Sequence, residues 1–262
     1  MVNEEEKLDL VEHLDELRTR IIRSILYAAV GIVIGWVFYP QLFAVLMMPL
    51  ASPIRHVGGQ FRVSMITEGF MLRFQISAVA GIIIALPGVL YELWAFVSPG
   101  LTVGERRAAA PLLPAALGLF AAGVAAGYVI TPRFVTWMLS SAFVPAGVVK
   151  QFDLQRQVAF LAKLYLAFGL CFQLPIVLTF LIKAGVISPD FLAARRREAI
   201  IAIMVIAAVV TPTWDAITLF VLAGPMYVLF EGTIWFARIS ERRKRKAELA
   251  AAEANEPETA SD

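Results

Sequence analysis

The sequence has little charge, one cysteine and two histidines. Charged residues make up 17% of the 262 positions and hydrophobic residues 59%, against about 25% and about 45–50% in a soluble domain. This composition excludes an ordinary water-soluble domain and indicates a protein embedded in lipid. The single cysteine, Cys171, excludes an intrachain disulfide framework. His13 and His56 stand far apart, so we expect no metal site and no other cofactor.

Long apolar windows are what the sequence has instead. A helix needs about 20 mostly apolar residues to cross a bilayer. Six windows indicate spans, the last two of them short: 24–39, 74–91, 108–130, 164–182, 199–210 and 216–230. A stretch rich in Pro and Gly, 48–61, is expected to form a loop after the first span. Ser98, Pro99 and Gly100 are expected to end the second helix.

The distribution of basic residues predicts the orientation. With six spans both termini lie on one side, and sixteen Lys and Arg residues fall on that side against seven on the other. The positive-inside rule then places both termini in the cytoplasm. The acidic N-terminus lacks the basic region of a signal peptide, so it is expected to stay in the mature chain.

The predicted fold class is therefore an all-α integral membrane protein with six transmembrane helices, the fifth and sixth short. The division we predict is a cytoplasmic amphipathic helix over 1–23, a transmembrane domain over 24–236, and a cytoplasmic tail over 237–262. The tail begins with basic residues, and its polar end, 247–262, is expected to be disordered. The expected location is the cytoplasmic membrane.

The stretch EHLDELRTRI, residues 12–21, precedes the first window. Apolar residues recur there at helical spacing: Leu10, Leu14, Leu17 and Ile21. That stripe predicts an amphipathic helix lying at the membrane interface. Glu16 and Arg20 stand four residues apart, so a local ion pair is available. The spacing leaves open whether Glu16 only makes this pair or also binds something else.

Four further polar or helix-breaking residues stand at informative places. Glu105 lies in the loop between spans two and three, where the plain interpretation is an acid stabilised by a helix N-terminus. Gln173 lies mid-span beside Pro175, which removes a helix hydrogen bond. The amide either satisfies its own bundle or contacts another helix, and residue type alone does not choose. Asp215 is expected to cap the last span.

Four separated motifs resemble the TatC family of the twin-arginine protein translocase. They are HLDELRTR at 13–20, LYELWAFVSPGLTVGERR at 90–107, FGLCFQLP at 168–175 and TPTWDAITLFVLAGPMYVLFE at 211–231. They follow the family's order and extend over nearly the whole chain. The resemblance implies six spans, cytoplasmic termini, and export of folded proteins driven by the protonmotive force.

The resemblance also implies a set of site residues. Glu16, Arg18, Phe96 and Glu105 match the family's signal-peptide-binding positions, and Pro49, Gln173 and Asp215 match positions used for function, folding or partner contact. Many members carry a glutamate where this chain has Gln173, so a hydrogen-bonding role is expected there rather than a charge-dependent one. The implied partners are single-span TatA/TatB-type subunits, twin-arginine signal peptides, other copies of the chain and membrane lipid, with no nucleic acid.

Two other classes fit the composition less well. An intramembrane enzyme needs a nucleophile or metal at membrane depth, and both histidines lie outside the predicted spans. A proton-coupled small-solute transporter usually has internal repeats with paired broken helices. Pro175 supplies one break, and we find no matching partner in the other half of the sequence.

Overall fold

The computed structural model describes residues 4–100, 102–145, 147–211 and 215–255, with side chains except those of 4–12, 105, 108, 244, 245 and 247–255. That part of the chain contains ten α-helices and two short strands. In order they are α1 (Glu4–Val37), α2 (Tyr39–His56), β1 (Gln60–Arg62), α3 (Glu68–Val97), α4 (Val103–Ala109), α5 (Leu112–Met138), β2 (Gln151–Asp153), α6 (Leu154–Cys171), α7 (Leu174–Lys183), α8 (Pro189–Ala194), α9 (Arg196–Val210) and α10 (Ala216–Asn255).

Five helical stretches of the described chain are long and apolar enough to cross a membrane. They are His13–Val37, Glu68–Gly100, Leu112–Met138, Leu154–Lys183 and Ala216–Arg243. Five of the six predicted windows fall mainly within them. The window 199–210 lies in α9, whose 15 residues reach only about 22 Å and fall short of the usual span. The chain is a mainly helical, multi-pass membrane protein.

Glycines let α1 and α3 approach closely in antiparallel fashion. A Cβ atom on Gly31 would lie 2.4 Å from the carbonyl oxygen of Gly81, and one on Gly35 would lie 2.9 Å from that of Ser77. A Cβ atom on Gly81 would in turn lie 2.5 Å from the backbone nitrogen of Ile32. Small residues of this kind allow helix backbones to pack in lipid, where no hydrophobic driving force between helices is available.

The prediction of a loop over 48–61 is wrong for its first nine residues. These belong to α2, which contains Pro49 and Pro53 in its interior. Pro49 cannot donate to the carbonyl of Val45, four residues earlier. The hydroxyl of Tyr128, on α5, donates to that carbonyl at 3.1 Å instead. The helix survives its proline because a neighbouring side chain satisfies the freed backbone group.

A two-stranded parallel sheet ties two connections together. β1 pairs with β2 in the register Gln60 with Gln151 and Arg62 with Asp153. Asp153 also caps α6 by accepting a hydrogen bond from the backbone N–H of Arg156 at 3.0 Å. That bond holds the pKa of the Asp153 carboxyl below its ordinary value. The hydroxyl of Ser64 donates to the same carboxylate at 3.1 Å, so this side chain links β2, the start of α6 and the connection between β1 and α3.

The expected break at Pro175 is confirmed. α6 ends at Cys171 and α7 begins at Leu174, with the proline in its first turn. The largest core cluster packs around this break and includes Phe168, Leu222 and Met226, which are buried. The break therefore lies where α6 and α10 share their core.

The expectation of a short sixth helix is wrong, because α10 runs for 40 residues. Charge ends the apolar window at Phe230 without ending the helix, since Arg, Lys, Glu and Ala are good helix formers. The helix also continues to Asn255, into the segment expected to be disordered, and 256–262 lie outside the described residues. Arg196 holds α10 to α9 with a two-pronged contact to Glu231, 2.7 Å from Nε to Oε1 and 2.9 Å from Nη2 to Oε2.

We predict that Gly81→Ala destabilises the protein by about 1–3 kcal/mol, because overpacking against backbone cannot be relieved by a rotamer change. The measurement is thermal unfolding in detergent. Gly118→Ala is the matched control, since nothing lies within 4 Å of a Cβ atom built there. Equal melting temperatures for Gly81→Ala and the control would contradict the close approach of α1 and α3.

The contact between Tyr128 and Val45 gives a second prediction. Tyr128→Phe should destabilise the protein by about 1 kcal/mol, because it leaves a carbonyl unsatisfied. In a Pro49→Ala background, residue 49 regains its N–H and can satisfy Val45, so the same change should have little further effect. A double-mutant cycle of unfolding free energies measures this coupling. Additive changes would show that the hydroxyl does not compensate for the proline.

Candidate functional site

The candidate site lies where the N-terminal part of α1 meets the C-terminal end of α3. Arg20 stands eleven residues before Gly31 on α1, and Glu92 stands eleven residues after Gly81 on α3. Eleven residues are close to three turns of an α-helix, so each side chain returns to the face that carries its glycine. Because the helices are antiparallel, moving back along α1 and forward along α3 leads in the same direction. The side chains of Arg20 and Glu92 therefore meet about three turns from the glycine contact.

Arg20 bridges two carboxylates from different helices. Its Nε donates to Oε1 of Glu16 at 3.0 Å, and its Nη2 donates to the same oxygen. Its Nη1 donates to Oε2 of Glu92 at 3.0 Å. The predicted local pair of Glu16 and Arg20 is confirmed, and the structure adds a partner 72 positions further along the chain.

The residue that sequence reasoning missed is Glu92, whose side chain is only 3% exposed. Besides Arg20, it accepts a hydrogen bond from the Tyr27 hydroxyl at 3.3 Å, and Arg23 approaches it at 3.9 Å. It went unnoticed because it directly follows a predicted apolar span. A usable signal was its spacing of four residues from Phe96, which places both on one face of α3.

Phe96 joins the same group of residues through His13. The two rings stack with their centroids 4.5 Å apart. His13 Nδ1 lies 3.8 Å from Oε2 of Glu16, the oxygen that Arg20 does not use. The structure therefore brings together two of the four predicted binding residues, Glu16 and Phe96. We name the group His13, Glu16, Arg20, Glu92 and Phe96 the junction cluster.

The other two predicted binding residues stand apart from these contacts. Arg18 is 77% exposed, and its nearest described partner is Asp15 at 3.9 Å. Glu105 lies on α4, which packs against α7, and its side chain is outside the described part of the chain.

Gln173 stands at the break between α6 and α7. Its Nε2 donates to the carbonyl of Ala116 on α5 at 2.9 Å, so the amide satisfies a backbone group of its own bundle. Its Oε1 is buried and has no partner among the described residues. Ala116 also lines a cavity of about 240 Å³ between α3, α5 and α7. The residues that line this cavity are apolar or aromatic and include Trp94 and Phe180.

The remaining two predicted residues, Asp215 and Pro49, have positions that explain a structural role. Asp215 accepts hydrogen bonds from the backbone N–H of Thr218 at 2.7 Å and from its hydroxyl at 2.8 Å, which confirms the expected cap. Pro49 is buried inside α2 rather than in a loop.

Comparison with known proteins identifies the family. The family model described as Sec-independent protein translocase protein (TatC) matches residues 12–225. A TatC protein of Desulforapulum autotrophicum is 35% identical over 99% of this chain and 95% of its own. One from Aquifex aeolicus is 34% identical over 93% of this chain and all of its own. The chain belongs to the TatC family.

Solved structures agree with this membership. A crystal structure of the twin arginine translocase receptor TatC superimposes with a TM-score of 0.77, is 34% identical, and covers 87% of this chain and 99% of that one. A second, in the detergent DDM, gives a TM-score of 0.76. As a TatC-family chain the protein is a component of the twin-arginine translocase. Membership of a transport family disfavours both the intramembrane enzyme and the small-solute transporter.

Proposed function

We propose that this chain is the subunit that binds twin-arginine signal peptides and nucleates the export complex. Glu16 and Glu105 would accept hydrogen bonds from the paired guanidinium groups, Phe96 would line the site, and Arg18 would stand at its edge. The support is the junction cluster, in which Glu16 keeps one carboxylate oxygen clear of Arg20 and 3.8 Å from His13, whose ring stacks on Phe96. A carboxylate can take two parallel hydrogen bonds from an arginine, which lysine cannot supply.

The topology we propose has six spans, with α9 as the short fifth span. Both termini lie in the cytoplasm, and the chain lies in the cytoplasmic membrane. α1 supports the division at residue 23: its 34 residues reach about 51 Å, well beyond a hydrocarbon core of about 30 Å. One continuous helix can therefore both cross the bilayer and extend past it. Residues 24–236 would form the transmembrane domain and 237–262 a basic cytoplasmic extension.

The proposed partners are single-span TatA/TatB-type subunits and other copies of the chain. The protonmotive force would drive export by this complex. A partner contact near the break is supported by the apolar cavity there, because Gln173 holds the carbonyl of Ala116, a residue of the cavity wall. Pro49 and Asp215 would act by shaping α2 and the start of α10, on which partner helices could pack.

Neutralising either acid should weaken signal-peptide binding. Glu16→Gln and Glu105→Gln are each expected to cost about 1.5–3 kcal/mol, roughly 10- to 150-fold in Kd, since each removes the negative charge and one of the two acceptor oxygens that a guanidinium would use. The measurement is titration of a labelled twin-arginine signal peptide into the detergent-purified chain. Glu198→Gln is the matched control, an exposed acid on α9. Parent-like affinity for both test variants would show that the recognition site has been placed wrongly.

Gln173→Leu should separate partner assembly from peptide binding. The change removes the hydrogen bond to Ala116 and the spare acceptor while keeping the bulk of the side chain. We expect less co-purification of a single-span subunit and unchanged affinity for the signal peptide. Gln155→Leu, on α6 away from this cavity, serves as the control. Loss of both activities together, or of neither, would contradict two separable sites.

A further inference from the structure

We infer that Glu92 is a positioning residue for signal-peptide binding: it neutralises Arg20 so that Glu16 remains available to an incoming guanidinium group. The inference rests on the proposed function, because it concerns the same site. Glu92 acts through Arg20 and does not itself touch the peptide.

Burial determines this indirect role. With 3% of its side chain exposed, Glu92 is out of reach of a ligand arriving at the surface. A buried carboxylate stays ionised only where it is paired and hydrogen-bonded. Arg20 supplies a hydrogen bond at 3.0 Å and Tyr27 supplies another at 3.3 Å. Arg23 adds a third contact at 3.9 Å, with a side chain that is 57% exposed and therefore screened by solvent.

The guanidinium group of Arg20 contacts both acids, Glu16 and Glu92, through different nitrogens. Its Nη1 is turned to Glu92, while its Nε and Nη2 share a single oxygen of Glu16. The other oxygen of Glu16, Oε2, has only the 3.8 Å contact with His13 among the described residues. A carboxylate has about four lone-pair sites, so Glu16 retains capacity to accept from a second guanidinium.

The charges give the same result. Glu16 and Glu92 carry two negative charges against the one positive charge of the part-buried Arg20. Arg23 also approaches Glu92, but its exposed charge is screened by solvent, so the trio of Glu16, Arg20 and Glu92 still attracts a cation. Without Glu92, Arg20 would be left to Glu16 alone and the pair would be neutral. The internal arginine would then occupy the carboxylate that the signal peptide needs.

The test is a set of peptide titrations on the full-length chain in detergent with a twin-arginine signal peptide. Glu92→Gln should weaken binding about tenfold, because the guanidinium of Arg20 then competes with the peptide for Glu16. Glu92→Asp keeps the charge and should bind within about threefold of the parent. Adding Arg20→Gln to Glu92→Gln should restore most of the lost affinity, because it removes the competing guanidinium from Glu16.

The double variant separates positioning from a merely structural role. A structural defect would make Arg20→Gln/Glu92→Gln bind no better than Glu92→Gln, and that result would overturn the inference, as would parent-like binding by Glu92→Gln. If Glu92→Gln does not fold, the double variant leaves no buried charge without a partner and carries the test: near-parent affinity supports the inference, and a tenfold loss overturns it.

Glu16→Gln measured alongside keeps the two proposals distinguishable. If Glu16→Gln binds as tightly as the parent, the assignment of Glu16 to the recognition site is wrong. If Glu16→Gln binds weakly while Glu92→Gln binds normally, the site stands and only the positioning role of Glu92 fails.

Discussion

The close antiparallel contact of α1 with α3 fixes the candidate site. Gly31 and Gly81 bring the two backbones together, and three helical turns away Arg20 reaches Glu92. A larger side chain at either glycine would separate the helices and leave a buried carboxylate without its guanidinium. The same contact between α1 and α3 therefore determines both the packing of these helices in lipid and the positions of the charged side chains near their ends.

The need to satisfy polar groups within the chain explains much of the remaining architecture. The hydroxyl of Tyr128 takes the place of the hydrogen bond that Pro49 removes. Gln173 donates to a backbone carbonyl of α5 from the break between α6 and α7. In both places a helix irregularity is held by a neighbouring helix, as expected where water cannot compensate. The residue that Gln173 binds, Ala116, also lines the apolar cavity between α3, α5 and α7.

The sequence predicts the features that depend on local pattern. Most apolar windows, the break at Pro175, the cap at Asp215 and the pair of Glu16 with Arg20 follow from composition or short spacing. It does not predict the features that depend on tertiary contact. The helical state of the segment around Pro49 requires Tyr128 from α5, and the role of Glu92 requires Arg20 from α1. The length of α10 was missed because hydropathy marks where apolar residues end, whereas helix propensity continues through charged residues.

We propose that the surface formed by α1 and the end of α3 recognises paired arginines. The most direct measurement replaces Phe96 with a photoreactive phenylalanine analogue in the purified chain and adds a labelled twin-arginine signal peptide. We expect a crosslink at this position that excess unlabelled twin-arginine peptide abolishes and that a twin-lysine peptide leaves largely intact. Absence of the crosslink, or equal competition by both peptides, would contradict it.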